Sequence, residues 1–453
     1  GGVVYERTPA LLSQCCLCLP SPHARISCLV PSLSRTYLTP HATSLITMNS
    51  HTLFLTLFVL VAVVVGLAAS TQPDYVPQQI HLSYGYDSTE MRVTWASTNG
   101  SESLVLVGSQ PNLLNSVVSA ESHYWLEGNQ NGTHWVHRAT IKVQPSHSHI
   151  SLSRIYSHVI SIELIAGKLY YYRVQTGRAL SPILAFRAKR EPSADWRPRF
   201  LVFADMGRDG GAPSLDRMIK EVGTGNITAV IHAGDFAYDM SSEGGERGAD
   251  FMRLVEPMTA YVPYMTAPGN HEKAFNFSNY LNTFNMPTER GANPRAMWYS
   301  WDINNIHFVS YDTELYYSGG PIDEQFAWLD QDLARANENR ANVPWIIAYG
   351  HRPMYCSNND PSDCSAATSA VRLGLEDLFF KHGVDLIING HEHAYERMWP
   401  VYNQTVTQYD YINPRAPVQI ISGAAGCQSG LCEDPLLGPG GMSFTSDCES
   451  ERE

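Results

Sequence analysis

Five short apolar runs in this chain each end in residues whose side chains bind metal ions. Each run is bounded by turn residues, a pattern that predicts a buried β-strand. The runs occupy 200–204, Ala229–Ala233, 262–267, Trp345–Tyr349 and 384–388. A sheet brings the carboxyl ends of its neighbouring strands together, so the residues after these runs should meet at one place. This part of the chain is therefore predicted to be α/β, with a site at its strand ends.

The candidate ligands are two aspartates, one tyrosine, one asparagine and three histidines: Asp205, Asp235, Tyr238, Asn270, His351, His391 and His393. They are enough for two metal ions, because the two oxygens of Asp235 can bind two cations at once. Asp205, Tyr238 and His393 would complete a site for a trivalent ion, since high charge density keeps a phenolate deprotonated. The other three ligands, an amide and two imidazoles, suit a divalent ion.

His271 directly follows a predicted ligand but is not needed to bind either ion. It is placed to contact a phosphate group and to protonate the leaving oxygen of a phosphate ester. Each motif alone is weak evidence, because a Gly-Asp or Gly-His pair usually marks a turn. Five motifs in order, each at a predicted strand end, indicate a hydrolytic centre with two metal ions.

The net charge of −13 argues against a nucleic acid as the main partner. An anionic substrate must then be attracted by a local positive site, such as bound metal ions. We therefore expect small phosphorylated substrates. The sequence leaves the oligomeric state open, and a homodimer is one alternative.

Residues 48–70 resemble a secretory signal, in which a long apolar stretch is followed by small residues. The alternative is a signal anchor, for which about 17 apolar residues is a marginal length. We expect cleavage, no stable membrane span after it, and a secreted or lysosomal protein. Residues 1–47 are predicted to lie upstream of the mature protein. A zinc cluster at their four cysteines would lack a second pair of ligands at metal spacing.

Five N-x-S/T sequons follow the signal-like segment and predict glycosylation at Asn99, Asn131, Asn226, Asn276 and Asn403. Two pairs of cysteines are close enough in sequence to close small disulfide loops in the secretory pathway. These pairs are Cys356 with Cys364 and Cys427 with Cys432, and Cys448 is left over.

Residues 71–191 contain short alternating segments separated by Gly, Asn and Ser, a pattern typical of a β-sandwich. The stretch 143–162 interrupts this pattern. Its His147 and His149 could be offered as metal ligands, but a surface insertion explains the stretch better.

A charged, proline-containing linker leads into residues 192–453, where strands alternate with helices predicted at 214–222, 323–334 and 366–380. Because the strand runs are apolar on both faces, we expect sheets covered by helices.

The ordered motifs resemble those of the purple acid phosphatases, within the calcineurin-like metallophosphoesterase superfamily. The family pattern runs GDxG, GDxxY, GNHE, VxxH and GHxH, and this chain carries ADMG, GDFAY, GNHE, AYGH and GHEH. The resemblance covers about residues 76–427 and is similar to the animal long-form branch. That form carries a fibronectin-III-like sandwich before a metallophosphoesterase domain of two packed sheets flanked by helices.

The resemblance implies Fe(III) held by Asp205, Asp235, Tyr238 and His393. It implies a second ion, Fe(II), Zn(II) or Mn(II), held by Asp235, Asn270, His351 and His391. The implied activity is that of an acid phosphatase, in which a metal-bound hydroxide attacks a phosphate monoester and His271 acts as the acid. Tyr238 is the discriminating residue, because most metallophosphoesterases lack a phenolate there. Its charge transfer to iron predicts visible absorption.

The chain departs from the family pattern at three places. Ala204 replaces the first glycine, and no adjacent histidine pair for substrate binding follows His351. The family also continues for longer after the position of Cys427, so we expect the catalytic domain of 192–453 to be truncated at its C-terminus. Two alternatives stay open: a metallophosphodiesterase or nucleotide pyrophosphatase with the same ligands, and an inactive secreted binding protein.

Overall fold

The computed structural model describes residues 76–85, 90–142, 164–288, 297–357 and 363–426, and the backbone of Met442–Phe444. The predictions for residues 1–47, 48–70 and 143–162 lie outside the described residues, as do those for Cys427, Cys432 and Cys448. Within the described ranges, no helix is both long and apolar enough to cross a bilayer.

The first part of the described chain is a sandwich of two antiparallel sheets, as the alternating segments predicted. Its strands are β1 (Gln78–Tyr84), β2 (Glu90–Ser97), β3 (Ser103–Gly108), β4 (Ser116–Ser119), β5 (Glu121–Tyr124), β6 (Trp135–Lys142), β7 (Leu169–Thr176), β8 (Ala179–Leu180) and β9 (Leu184–Arg187). One sheet has the order β1-β2-β6-β5 and the other β4-β3-β7-β8, with β9 paired to β7. The buried Trp95 on β2 links the sheets, because its Nε1 donates to Thr176 Oγ1 on β7 at 3.0 Å.

The second part contains a three-stranded parallel sheet, a seven-stranded mixed sheet and two short strand pairs. Its strands are β10 (Phe200–Phe203), β11 (Met206–Gly207), β12 (Ala229–Ala233), β13 (Phe236–Ala237), β14 (Tyr264–Ala267), β15 (Tyr299–Ile303), β16 (Ile306–Ser310), β17 (Trp345–Tyr349), β18 (Leu386–Asn389), β19 (Tyr395–Arg397), β20 (Val401–Tyr402), β21 (Thr405–Val406), β22 (Val418–Ser422) and β23 (Met442–Phe444). The sheet orders are β10-β12-β14 and β15-β16-β17-β18-β22-β19-β23. The predicted fold class, a sandwich followed by an α/β metallophosphoesterase domain, is confirmed.

Six α-helices lie among these strands: α1 (Ala212–Gly223), α2 (Glu246–Thr259), α3 (Ala274–Thr283), α4 (Leu315–Ser318), α5 (Ile322–Glu338) and α6 (Ala370–Lys381) within the described residues. The three predicted helices are present. The helix predicted from 366 begins only at Ala370, because the side chain of Ser369 caps it by accepting from Arg372 N. The sequence did not predict α2, which contains Pro257, or α3.

The five predicted strands are all present, and they are divided between two sheets, as the family resemblance implied. Strands β10, β12 and β14 form the three-stranded sheet, whereas β17 and β18 belong to the larger one. The carboxyl ends of the strands in the two sheets still meet. Ala204, which follows β10, donates its N–H to the carbonyl oxygen of Ser422 at the end of β22, at 2.9 Å. The ligands therefore come together between two sheets.

Buried polar contacts fix the sandwich against the α/β part. Tyr172 Oη, on β7, donates to Ala260 O at 2.7 Å, just after α2. Arg92 Nη1, on β2, donates to Met286 O at 2.7 Å. Because these groups are removed from water, breaking the contacts would leave polar atoms unsatisfied, so the two parts pack as one body.

Candidate metal centre

Tight turns after the strands aim the predicted ligands at one another. Asp205 and Asp235 follow β10 and β12, and His391 follows β18, each with a positive φ of 61°, 59° and 70° respectively. Non-glycine residues rarely adopt this conformation, and it persists where the surrounding structure enforces it. The turns thus direct the side chains into the space between the sheets instead of along the strand direction.

Four donors converge at one half of the cluster. His351 Nε2 lies 3.3 Å from Asp235 Oδ1 and 3.0 Å from Asn270 Oδ1. His391 Nδ1 lies 3.2 Å from the same histidine nitrogen. The ligand atoms of Asp235, His351 and His391 all lie within 4.8 Å of one another, a spacing that one ion can bridge. These are the residues expected around the divalent ion.

The other half of the cluster is built around Tyr238. Its Oη lies 2.6 Å from His393 Nε2, which is 3.6 Å from Asp205 Oδ1. The second oxygen of Asp205 accepts from His391 N at 2.9 Å, which links the two halves. The structure therefore brings all seven predicted ligands to one place.

The donors fit a pair of metal ions. Asp205 Oδ1 is buried and has no hydrogen-bond partner among the described residues, an arrangement that is costly without a cation. Burial, together with the carboxylates of Asp205 and Asp235, raises the pKa of Tyr238 far above its ordinary value. Burial lowers the pKa of His351, but the charge of Asp235 outweighs it and raises the pKa to about 10. The environment thus favours positive charge between these side chains.

Hydrogen bonds fix the ring orientation of two histidines. His351 Nδ1 donates to Ala233 O at 2.9 Å, so Nε2 is the nitrogen that faces the cluster and would bind an ion after losing its proton. His391 Nε2 lies 3.1 Å from Asp363 Oδ2. Arg352 Nη1, which pairs with Asp363, also lies 2.9 Å from His391 Nε2. If Nδ1 bound an ion, a proton on Nε2 would be accepted by Asp363, the arrangement in which a carboxylate orients a metal-binding imidazole.

Sequence reasoning missed Asp363 and the residues around it. Arg352 Nη1 donates to Asp363 Oδ2 at 2.6 Å, and Arg352 Nε pairs with Glu314 at 2.9 Å. Asp363 is adjacent to Cys364, which forms the predicted disulfide with Cys356. The position of that cysteine was the only signal for Asp363, because nothing in its spacing relates it to the GHEH motif.

Replacing Asp363 by asparagine should weaken binding of the divalent ion about 10- to 100-fold, because the neutral amide no longer holds the Nε2–H of His391. Titration of Zn(II) or Mn(II) into metal-free protein measures this. The exposed Asp410, replaced in the same way, serves as the matched control and should bind as the unaltered protein does. Equal affinity in the two variants contradicts a role for Asp363.

Glu272 holds the backbone of the turns that carry the ligands. Its buried carboxylate accepts the backbone N–H groups of Asp235 and Phe236, both at 3.0 Å, and of Gly269 at 2.9 Å. The last residue of the GNHE motif therefore ties together the turns after β12 and β14. The sequence alone did not indicate this role for Glu272.

His271 lies at the open side of the cluster, with its side chain 32% exposed. Its Nδ1 lies 2.9 Å from Asp239 Oδ1, which the sequence reading did not single out, and its Nε2 lies 3.9 Å from Asp235 Oδ2. Burial lowers the pKa of His271, but the hydrogen bond to Asp239 and the charges of Asp235 and Glu272 outweigh it and raise the pKa to about 9. His271 is thus protonated at acid pH.

The five predicted glycosylation positions differ in exposure. Asn131, Asn226, Asn276 and Asn403 are exposed, whereas Asn99 is half-buried. The side chain of Asn99 accepts hydrogen bonds from Ser101 N and Oγ, both at 2.8 Å. Glycosylation at all five positions stays a prediction.

Comparisons with known proteins agree with this architecture. A family model for calcineurin-like phosphoesterases matches residues 198–395, and one for the N-terminal domain of purple acid phosphatases matches residues 77–188. Human acid phosphatase type 7 is 40% identical over 375 residues, which cover 79% of this chain and 80% of that protein. Purple acid phosphatase 23 of Arabidopsis thaliana is 28% identical, over 77% of this chain and 79% of its own. A purple acid phosphatase from yellow lupin seeds shares the fold, with a TM-score of 0.67 at 22% identity over 82% of this chain and 68% of that one.

Proposed function

The chain belongs to the purple acid phosphatases, enzymes that hydrolyse phosphate monoesters, and we propose that its seven clustered ligands hold the binuclear metal centre for this reaction. One observation carries the proposal: Tyr238 lies 2.6 Å from His393, beside the buried and unpartnered oxygen of Asp205. A phenolate, a carboxylate and an imidazole around one point form a hard donor set that suits a trivalent ion.

We assign Fe(III) to the half of the cluster formed by Asp205, Tyr238 and His393, and a divalent Fe, Zn or Mn ion to the half formed by Asn270, His351 and His391. Asp235 would be a ligand of both ions. Bound there, the ions neutralise the charge of a phosphate ester and lower the pKa of water, so that hydrolysis proceeds at acid pH.

The chain's own residues orient the substrate and supply a proton. Asp239 holds Nδ1 of His271, so that Nε2 faces the cluster, where the phosphoryl group would bind. His271 then donates its proton to the leaving oxygen as the ester bond breaks. Glu272 keeps the turns that carry Asp235 and Asn270 in place through its three backbone hydrogen bonds.

The proposed setting is the secretory pathway, with glycans at the five predicted asparagines and export or lysosomal delivery as the destination. Residues 71–191 and 192–453 are proposed as the sandwich and catalytic domains of the mature enzyme. Small phosphorylated molecules are the proposed substrates.

Replacing Tyr238 by phenylalanine tests the assignment of the trivalent ion. We expect the visible absorption band of the purified protein to disappear, because the band arises from the phenolate bound to Fe(III). A metal count accompanies the spectrum and should give two ions in the unaltered protein. Tyr409, which is 70% exposed, serves as the control and should keep the band as phenylalanine. An unchanged spectrum in Tyr238→Phe contradicts the assignment.

Hydrolysis rates decide between the enzymatic alternatives. The unaltered protein should cleave a phosphate monoester faster than the corresponding diester, and faster cleavage of the diester would favour a phosphodiesterase. A protein that retains no metal and cleaves neither ester would favour the inactive binding protein.

A further inference from the structure

A basic cleft lies at the junction between the sandwich and the α/β part. It has a volume of about 340 Å³, which falls within the range of small-molecule sites. Five cationic residues line it, namely Arg187, Lys189, Arg190, Arg197 and Arg199, against one acidic residue, Asp195. In a chain with a net charge of −13, this local excess of positive charge is unusual.

The cleft is separate from the metal centre. Its lining includes the residues that immediately precede β10, β12 and β14, which are Arg199, Thr228 and Pro263. The metal ligands follow the opposite ends of the same strands. A strand of five residues spans roughly 16 Å, so a ligand in the cleft does not touch the ions.

Aromatic rings hold two of the cations in the wall of the cleft. The guanidinium of Arg190 lies over the ring of the buried Trp196 at 5.2 Å, and the ammonium of Lys189 lies over the ring of Tyr84 at 5.6 Å. Tyr84 is itself fixed, because its Oη donates to Thr228 O at 3.1 Å. These contacts orient the cations before any ligand binds.

The arginines keep N–H groups available for a ligand. Arg187 Nη1 donates to Gly167 O at 2.7 Å. Arg197 Nη1 donates to Ala194 O and, at 3.3 Å, to Trp196 O, so Nη2 and Nε of Arg197 have no hydrogen-bond partner among the described residues. Across the part of the chain that the structure describes, no carboxylate forms an ion pair with Arg187, Arg190, Arg197 or Arg199. A guanidinium presents paired donors that match the oxygens of a phosphate or sulfate group.

We propose that this cleft binds a small compound that carries at least two negative charges on tetrahedral oxyanion groups, a phosphate monoester or a compound with two or more sulfate groups, independently of the metal centre. With one acidic residue among five cationic ones, a monoanion would leave most of the positive charge of the cleft unneutralised. A multiply charged group can bind several guanidinium groups at once.

Calorimetric titration of the full, metal-loaded chain with methylenediphosphonate tests this, because a phosphatase does not cleave the P–C–P linkage. The test variant is Arg197→Gln/Arg199→Gln. The matched control is Arg178→Gln/Arg415→Gln, two exposed arginines outside the cleft with the same change in charge. Both variants are titrated with Asn226 intact and with Asn226→Gln, because a glycan at this lining position would narrow the cleft, and binding that occurs only with Asn226→Gln overturns the proposal.

We expect the control variant to bind one more equivalent of methylenediphosphonate than the test variant does. In the test variant, the loss of two charged donors should weaken binding at the cleft at least about 30-fold. Both variants should hydrolyse a phosphate monoester at the same rate, since neither change touches the metal centre. Equal binding by the two variants overturns the proposal. A competition titration gives another such outcome. If NaCl displaces the extra equivalent of diphosphonate as effectively as sulfate does at the same ionic strength, the binding reflects charge screening only and the proposal is overturned.

A second titration with methanedisulfonate distinguishes the source of the ligand. Binding of the diphosphonate at least about tenfold more tightly identifies a phosphate ester as the natural class, whereas equal binding identifies a compound with two or more sulfate groups. If neither compound binds to the cleft of the control variant, the proposal is contradicted. The equivalent of diphosphonate that binds at the metal centre is measured separately in the same titration, so it still tests the proposed function.

Discussion

Replacing His271 by alanine should lower kcat for a phosphate monoester about 10²- to 10⁴-fold, while both metal ions and the visible absorption band remain. His271 contributes the backbone N–H that donates to Asp235 Oδ1 at 3.1 Å, and alanine keeps that group. What is lost is the imidazole, whose Nε2 faces the cluster. The leaving oxygen then departs without a proton from the protein.

The loss should be nearly constant throughout the acid range. Although burial opposes it, the hydrogen bond to Asp239 and the charges of Asp235 and Glu272 raise the pKa of His271 to about 9. Because cations bound to Asp235 would offset the charge of that carboxylate, the hydrogen bond to Asp239 is the contact that keeps the imidazole protonated in the acid range, and rising pH removes the proton. A pH–rate profile of both proteins measures this, and the difference between them should shrink towards alkaline pH.

A histidine outside the cluster provides the control for this substitution. His123 lies on β5 of the sandwich and should give unaltered kinetics as alanine. If His271→Ala loses the visible absorption band or retains fewer than two metal ions, His271 supports the ligands instead of acting on the substrate. An unchanged kcat with intact metals would exclude it as the acid.

The ligands were predictable because each follows an apolar run, and a strand end is a position that hydrophobic patterning locates well. The separation of the runs into two sheets was not predictable in this way. Whether β12 and β17 share a sheet depends on helices and backbone contacts far apart in sequence, such as Ala204 N to Ser422 O. Local pattern carries no information about that pairing.

The residues that support the ligands were harder to predict for a physical reason. Asp239, Glu272 and Asp363 act through hydrogen bonds to a ligand or to its backbone, so no spacing rule ties them to a strand end. The helix α2 was missed for another reason, since Pro257 and several polar residues blur its apolar face. Burial against β1 and α1 stabilises this helix more than its local propensity does.

Backbone strain is concentrated at the same place as the ligands. Asp205, Asp235, Tyr238, Asp239 and His391 all have positive φ values, between 52° and 75°. Each such residue costs on the order of 1–3 kcal/mol, and the surrounding packing must offset it. Glu272 contributes to that packing by accepting the N–H of Asp235 itself. The strain places the carboxylates and the phenol where a cation can bind them.

Replacing Asp235 by asparagine should remove both metal ions and reduce phosphatase activity more than about 10³-fold, since Asp235 is the proposed bridge and the ions provide most of the charge stabilisation. Asparagine preserves the size of the side chain and the acceptor for His271 N. The substitution therefore changes charge and bridging while leaving the shape of the turn intact. A metal count on the purified variant measures the effect directly.

Thermal unfolding with and without a chelator gives a second readout that does not depend on activity. Metal at 100 times its Kd stabilises a folded protein by about 2.7 kcal/mol, so chelation should lower the Tm of the unaltered protein. The Tm of Asp235→Asn should not respond, because nothing is bound to remove. Asp250→Asn, at a half-buried ion pair with Arg208, is the control and should respond as the unaltered protein does. If Asp235→Asn retains two ions and the same chelator response, Asp235 is not the bridge, and the two halves of the cluster must bind their ions separately.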